Sequence, residues 1–182
     1  MQEEHYEINR LYIIKGESMG FDCGFTKENE WFRYRAAAII IEKDCILFAK
    51  NEVDDYYYSI GGGVHIGEAA EDAVRREVYE ETGIPYEVDR LAFIHENFFE
   101  GTGSLEGYKC HEIAIYFLMK SRGTQELNSN SYTAGIKEDM HWLPISKLEN
   151  YKAFPSFFKD KLQGIKDRVS GIEHIITYES IA

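Results

Sequence analysis

Apolar and polar positions in this chain fall into short strand-like runs, interrupted once by a long stretch with helical spacing. Tyr34 to Ile41 (YRAAAIII) and Ile46 to Ala49 flank Glu42-Lys43-Asp44, which predicts a hairpin feeding the core. Tyr56 to Ile60 reads as a further strand that runs directly into Gly61-Gly62-Gly63. Asp89 to Asn97 and Glu112 to Lys120 read as longer strands, and the Gly-containing stretch Glu100 to Gly107 between them as a mobile hairpin loop. Met140 to Leu143 is a short strand, with Pro144 turning the chain into Ser146 to Leu148. Ile172 to Tyr178 is expected to close the sheet.

Two segments have helical spacing. Ala69 to Thr82 contains neither Gly nor Pro, and Gly83 and Pro85 stop it. In the second, Pro155 suits a first helical position, and Phe154, Phe157, Phe158, Leu162 and Ile165 form an aromatic stripe suited to a core. At the N-terminus, Leu11 to Ile14 and the polar stretch to Glu30 read as an arm or accessory strand. The division expected is an arm over residues 1–31 and one domain over 32–182, of α+β class.

A helical wheel gives the first of these segments its meaning. With Ala70 at zero and steps of about 100°, Ala73, Val74 and Val78 form one small apolar face. Glu77, Glu80 and Glu81 share that face, whereas Asp72, Arg75, Arg76 and Tyr79 fall on the opposite, more solvated side. An ordinary acidic helix keeps its glutamates away from the packed stripe. Three like charges spaced i, i+3 and i+4 repel, and partial burial raises the cost of ionising each. A divalent cation relieves both penalties. Hard oxygen ligands without Cys or His nearby favour Mg2+, with Mn2+ as the alternative.

The same segment carries a longer pattern. Gly62 is followed after five residues by Glu68, and after seven more by Arg76-Glu77-Val78-Tyr79-Glu80-Glu81-Thr82-Gly83-Ile84. This order and spacing resemble the Nudix box, GX5EX7REUXEEXGU with U aliphatic, at every specified position. The resemblance covers about Phe32 to Leu162. It implies a mixed sheet sandwiched between helices and a metal-dependent hydrolase of a nucleoside diphosphate linked to another group. It also implies that Glu77, Glu80 and Glu81 bind metal, while Glu68 helps hold the loop–helix–loop with Gly62 and Gly83. Arg76 precedes the first of these glutamates and can fix a carboxylate in its planar fork.

For the water's proton, Glu80 and Glu81 are candidates within the box, and Glu138, just before the Met140 to Leu143 strand, is the first candidate outside it. Arg35, or Arg33 beside it, is placed to contact a phosphate, and Phe98, Phe99 and Trp142 offer faces for a base. His65, in the glycine loop, needs no special role, and His111 and His141 read as residues placed by strand pairing. Two other functions fit the same fold: a Nudix module that binds a nucleotide without cleaving it, and an isopentenyl diphosphate isomerase-like enzyme. Binding modules of this kind usually lose box glutamates, which this chain keeps. Isomerase chemistry calls for a catalytic Cys and Glu, and Cys45 and Cys110 have no supporting motif.

Composition narrows the partners. The 182-residue chain is 44% hydrophobic and 14% aromatic, enough for one substantial core. Its net charge of −12 argues against a nucleic acid polymer and for a small phosphorylated substrate offset by metal and local arginines. Cys23, Cys45 and Cys110 are scattered, which argues against a zinc site or disulfide framework and fits a reducing cytoplasm. No apolar run is long enough to span a membrane. The aromatic content and the N-terminal arm are compatible with a homodimer.

Overall fold

The apolar run Ala36 to Ile41 has to be covered on both sides, because successive strand residues face opposite ways. Ala36, Ala38 and Ile40 enter one core cluster, and Ala37, Ile39 and Ile41 enter another. The computed structural model of the chain describes residues 20–133, 135–165 and 171–179. The arm's apolar run Leu11 to Ile14 lies outside the described residues.

In chain order the elements are β1 (Gly24–Lys27), β2 (Glu30–Ile39), β3 (Ile41–Glu42), β4 (Cys45–Asn51), β5 (Tyr57–Ser59), β6 (Gly61–Gly63) and helix α1 (Ala70–Thr82). There follow β7 (Val88–Glu100), β8 (Lys109–Met119), β9 (Tyr132–Thr133), β10 (Ile136–Pro144), β11 (Ala153–Phe154), helix α2 (Phe158–Lys161) and β12 (Glu173–Glu179). One sheet runs β1-β2-β8-β7-β12, with β6 also on β2, and it is mixed: β2–β8 and β7–β12 are parallel, β7–β8 antiparallel. The other runs β11-β5-β4-β10-β9, with β3 on β4. Phe48, from the second sheet, packs in one cluster with Phe93 and Tyr116, from the first.

Helix α1 forms as its sequence predicts. Gly83 ends it at φ 69°, donating its N–H to Tyr79 O at 2.8 Å. Ala73, Val74 and Val78 are fully buried against the sheet, and each valine contributes roughly 1.5–3 kcal/mol. The β3–β4 hairpin is tighter than expected. Its turn is the pair Lys43-Asp44, at φ 51° and 60°, while Glu42 belongs to the strand. Glu42 is buried and accepts from Ser121 Oγ and the Arg122 and Gly123 backbone N–H groups.

Three expectations are corrected. The aromatic C-terminal segment is not a long helix from Pro155: α2 is a single turn. Phe154 pairs with Tyr58 in β11, the Phe154–Pro155 bond is cis, and Gly164 takes φ 69° three residues beyond α2. The expected core role holds, since Phe157, Phe158, Leu162 and Ile165 are all buried. The glycine triplet is a strand rather than a loop, with Gly61, Gly62 and Gly63 opposite Ala37, Ala36 and Arg35. Finally, Glu138 lies inside β10, opposite Asn51, and is buried rather than in a preceding loop.

Candidate active site

A cavity of about 760 Å³ opens between the two sheets and α1. Glu77, Glu80 and Glu81 line it from the helix, Gly61 to Gly63 from β6, Arg35 from β2, and Glu138 from β10. Phe99 also lines it; Phe98, the preceding residue, faces the other side of β7 and stacks on His111 at 4.3 Å. Trp142 does not line it. That side chain packs in the helix-side cluster and donates Nε1–H to Gln125 O at 3.1 Å.

Arg76 is the hub of the box. The wheel put it on the solvated side, but its long stem carries the guanidinium back under the helix start, and 24% of the side chain is exposed. It grips Glu68 in a planar fork, Nε to Oε1 at 2.9 Å and Nη2 to Oε2 at 3.0 Å. It also donates to Gly63 O at 3.0 Å, to Glu80 Oε2 at 3.3 Å and to Glu77 Oε1. Glu68 accepts the His65 backbone N–H at 3.0 Å. The Arg76 fork, helped by that N–H, holds the Glu68 carboxyl down at about 2.

The three box glutamates occupy different environments. Glu80 does not share the packed face expected of it, since 56% of its side chain is exposed. Glu77 approaches β6 so closely that a Cβ at Gly62 would come within 2.6 Å of its carboxylate carbon and both oxygens, so a larger residue there would displace the Glu77 carboxylate. Glu81 accepts the Gly61 N–H at 2.8 Å. Burial pushes its carboxyl up to about 8, with Glu138 and Glu77 adding to the rise against Arg35. Burial also raises Glu77, despite Arg76 beside it.

Glu138 is held from two sides: Tyr58 Oη donates to Oε1 and Ser131 Oγ to Oε2, each at 2.5 Å. Arg35 donates Nη2 to Ser59 O at 2.6 Å and Gly61 O at 2.9 Å, and its buried Nε has no partner among the described residues. On the opposite wall, the sequence offers Arg33 as a phosphate contact but does not reveal the residues that surround it. There Arg33 donates Nε and Nη2 to Glu112 Oε2 at 2.9 and 2.5 Å, with its guanidinium 5.2 Å from the Trp31 ring centre. Burial opposes ionisation of Glu112, but Arg33 and Arg35 outweigh it and hold the carboxyl below the usual range. Thr177 Oγ1 donates to Asn97 Oδ1 at 2.7 Å and lies 2.8 Å from His95 Nε2. No spacing rule marks these residues, because strand register brings them together.

Among the described residues, no three His, Cys, Asp or Glu side chains are already gathered tightly enough to hold an ion. The donor chemistry nonetheless fits a hard divalent cation. The helix wall offers only carboxylate oxygens, and the partly or fully buried Glu77, Glu81 and Glu138 repel one another where a cation would offset them.

The sequence model of the NUDIX domain matches residues 31–162. A MutT-like protein of Streptomyces ambofaciens is 33% identical over 99 residues, covering 54% of this chain and 58% of that protein. Diphosphoinositol polyphosphate phosphohydrolase 2 of Rattus norvegicus is 36% identical over 76 residues, covering 40% and 42%. This chain thus aligns with less than two thirds of either curated relative. Among solved structures, a mutator MutT protein from Bacillus halodurans superposes with a TM-score of 0.60 at 18% identity, over 82% of this chain and 91% of that one. A MutT protein from Methanosarcina mazei Go1 gives 0.57 at 18% identity, over 78% and 97%. At such identity these two likenesses establish the fold, and the family match over most of the chain establishes the rest: this chain belongs to the Nudix hydrolase family.

Proposed function

We propose that the protein hydrolyses the diphosphate linkage of a nucleoside diphosphate joined to another group, with Mg2+ as cofactor and Mn2+ as its substitute. The observation that carries this reading is the meeting of Glu77, Glu81 and Glu138 on one cavity wall, with Arg35 beside them. Glu77, Glu80 and Glu81 would hold the ion. A bound divalent ion supplies charge neutralisation at the diphosphate and makes water more acidic.

The chain's own residues do the rest. Arg76 holds Glu77 in place and ties the helix to the β6 strand through Gly63 O. Arg35 meets phosphate oxygen with a guanidinium already fixed by two backbone carbonyls. Glu138 takes the proton of the attacking water, its carboxylate held by Tyr58 and Ser131. Residues 32–182 form the hydrolase domain in this reading, and Asp22, from the preceding arm, reaches the cavity.

A panel of nucleoside diphosphate derivatives, assayed with Mg2+ and with Mn2+ for released phosphate or nucleoside monophosphate, tests it. Turnover of at least one compound that stops in EDTA is expected. Absence of turnover across the panel with either ion would overturn the proposal.

A further inference from the structure

We infer that residues 128–131 are a positioning strap that sets the distance between the box glutamates of α1 and Glu138 of β10, with Ser129 and Ser131 as its two fastenings. The inference rests on the reading of Glu81 as an ion ligand and Glu138 as the proton acceptor. It deepens that reading by naming the part that keeps the two in register.

Glu81 stands on the last turn of α1, whereas Glu138 belongs to β10 in the second sheet. Their charges repel, so the spacing of the two carboxylates has to be held by other groups. Hydrogen bonds at both ends of one short segment supply the hold. Asn128 donates its backbone N–H to Thr82 O at 2.9 Å, and Ser129 donates Oγ–H to Glu81 O at 2.6 Å. These bonds satisfy carbonyls of the last helical turn, which lack partners within the helix.

Two residues further on, the segment grips β10. Ser131 donates Oγ–H to Glu138 Oε2 at 2.5 Å, and its carbonyl accepts the Glu138 backbone N–H at 3.0 Å. Ser131 is buried, so this grip is shielded from water. From Asn128 to Ser131 the chain spans at most about 10 Å, and Asn130 alone separates the two fastenings. A segment so short and fixed at both ends transmits the position of the helix end to the carboxylate.

Gly83 shows how closely the strap passes. A Cβ at Gly83 would come within 2.3 Å of Asn128 O. The glycine that ends α1 at φ 69° therefore also leaves the room that the strap occupies. Ser129 does not line the cavity, so it acts on the reaction through Glu81 and the strap. It is a positioning residue, and so is Ser131. Misplacing a reacting group by about 1 Å can cost about 100-fold in rate, which gives such a part a large lever.

Amide hydrogen exchange in the metal-free full chain reads the strap without requiring hydrolysis. In Ser129→Ala the Asn128 and Glu138 amides should exchange together about fivefold faster or more, the scale of one lost hydrogen bond. The Gly83 amide, held by Tyr79 O, should stay protected. Kinetics should show kcat lower by about fivefold or more, with KM and the Mn2+ affinity of the substrate-free protein within about twofold of wild type. Ser129→Thr, which keeps the hydroxyl, should restore both exchange and kcat. A merely loosened helix end would weaken Mn2+ binding in step with kcat. In a Glu138→Gln background, Ser129→Ala should cost less than about twofold, because the carboxylate that the strap positions is already gone.

Should Ser129→Ala fail to fold, one glycine inserted between Ser129 and Asn130 lengthens the strap with both fastenings kept, and should give the same pattern. Wild-type kcat in these variants, full additivity with Glu138→Gln, or faster exchange confined to Asn128 would each overturn the inference. Joint exchange of the two amides without wild-type turnover would sink the proposed reaction alone, and turnover with additive losses would sink this inference alone.

Discussion

Tyr58 Oη donates to Glu138 Oε1 at 2.5 Å, joining β5 to β10 across 80 positions of sequence. Burial and this bond push the Tyr58 hydroxyl well above its ordinary range, so it remains a donor throughout the working pH range. Glu138→Gln should lower turnover by about 100-fold or more, the scale of a lost general base. Tyr58→Phe should lower it by less, since Ser131 still holds the other carboxylate oxygen. Steady-state kinetics on both variants, beside circular dichroism to confirm folding, checks the order.

Gly62→Ala tests the close approach of the helix to β6. A Cβ at that position would meet the Glu77 carboxylate, and the antiparallel pairing with Ala36 restricts any retreat. Turnover should fall about tenfold or more while the melting temperature changes by a few degrees. Wild-type kinetics in Gly62→Ala would show that Glu77 need not lie where it does.

The Glu68–Arg76 fork predicts an acid-sensitive contribution to stability. The Glu68 carboxyl is held at about 2 when folded, below its ordinary 4.5. Its contribution is therefore present above pH 4.5 and is lost as pH falls toward 2. The shift corresponds to roughly 3 kcal/mol at most. Urea midpoints should drop on acidification through that window, and the drop should shrink in Glu68→Gln.

His95 predicts a second, higher window. Burial depresses its pKa to about 4 from 6.5, so the unfolded chain binds the proton more readily. The His95 contribution should be full above pH 6.5 and be lost as pH falls to 4, by roughly 3 kcal/mol at most, against the opposite contribution of Glu81, whose carboxyl is raised to about 8 and gains stability as pH falls toward 4.5. Replacing His95 by Phe should therefore shift the slope of stability between pH 6.5 and 4 toward higher stability at the acid end, and leave the lower window of Glu68 in place. Urea unfolding from pH 7 to 4 separates the two.

How far the site could be read from sequence follows from the distance over which each part is specified. The box is local: Glu68, Arg76 and the three glutamates lie within one turn and one helix, so spacing alone groups them. Even there the wheel misplaced Arg76, because it places Cα atoms and not the ends of long side chains. Glu138 was found by its position near a strand, but the partners that hold it, Tyr58 and Ser131, come from elsewhere in the chain. Trp142 shares a strand face with Glu138 but lies four residues further along, about 13 Å, among apolar neighbours. The row Arg33–Glu112–Asn97–Thr177 depends on the register of four strands. The C-terminal aromatic stripe gave the right buried residues and the wrong element, since a core needs apolar side chains at the right depth and a single helical turn supplies that.

The most direct test of the proposed reaction compares wild-type and Glu81→Gln protein on a hydrolysed nucleoside diphosphate derivative over a Mg2+ titration. The site described predicts Mg2+-dependent turnover in the wild type and a loss of about 100-fold or more in Glu81→Gln, with the fold retained. Unchanged turnover in Glu81→Gln at every Mg2+ concentration would contradict it.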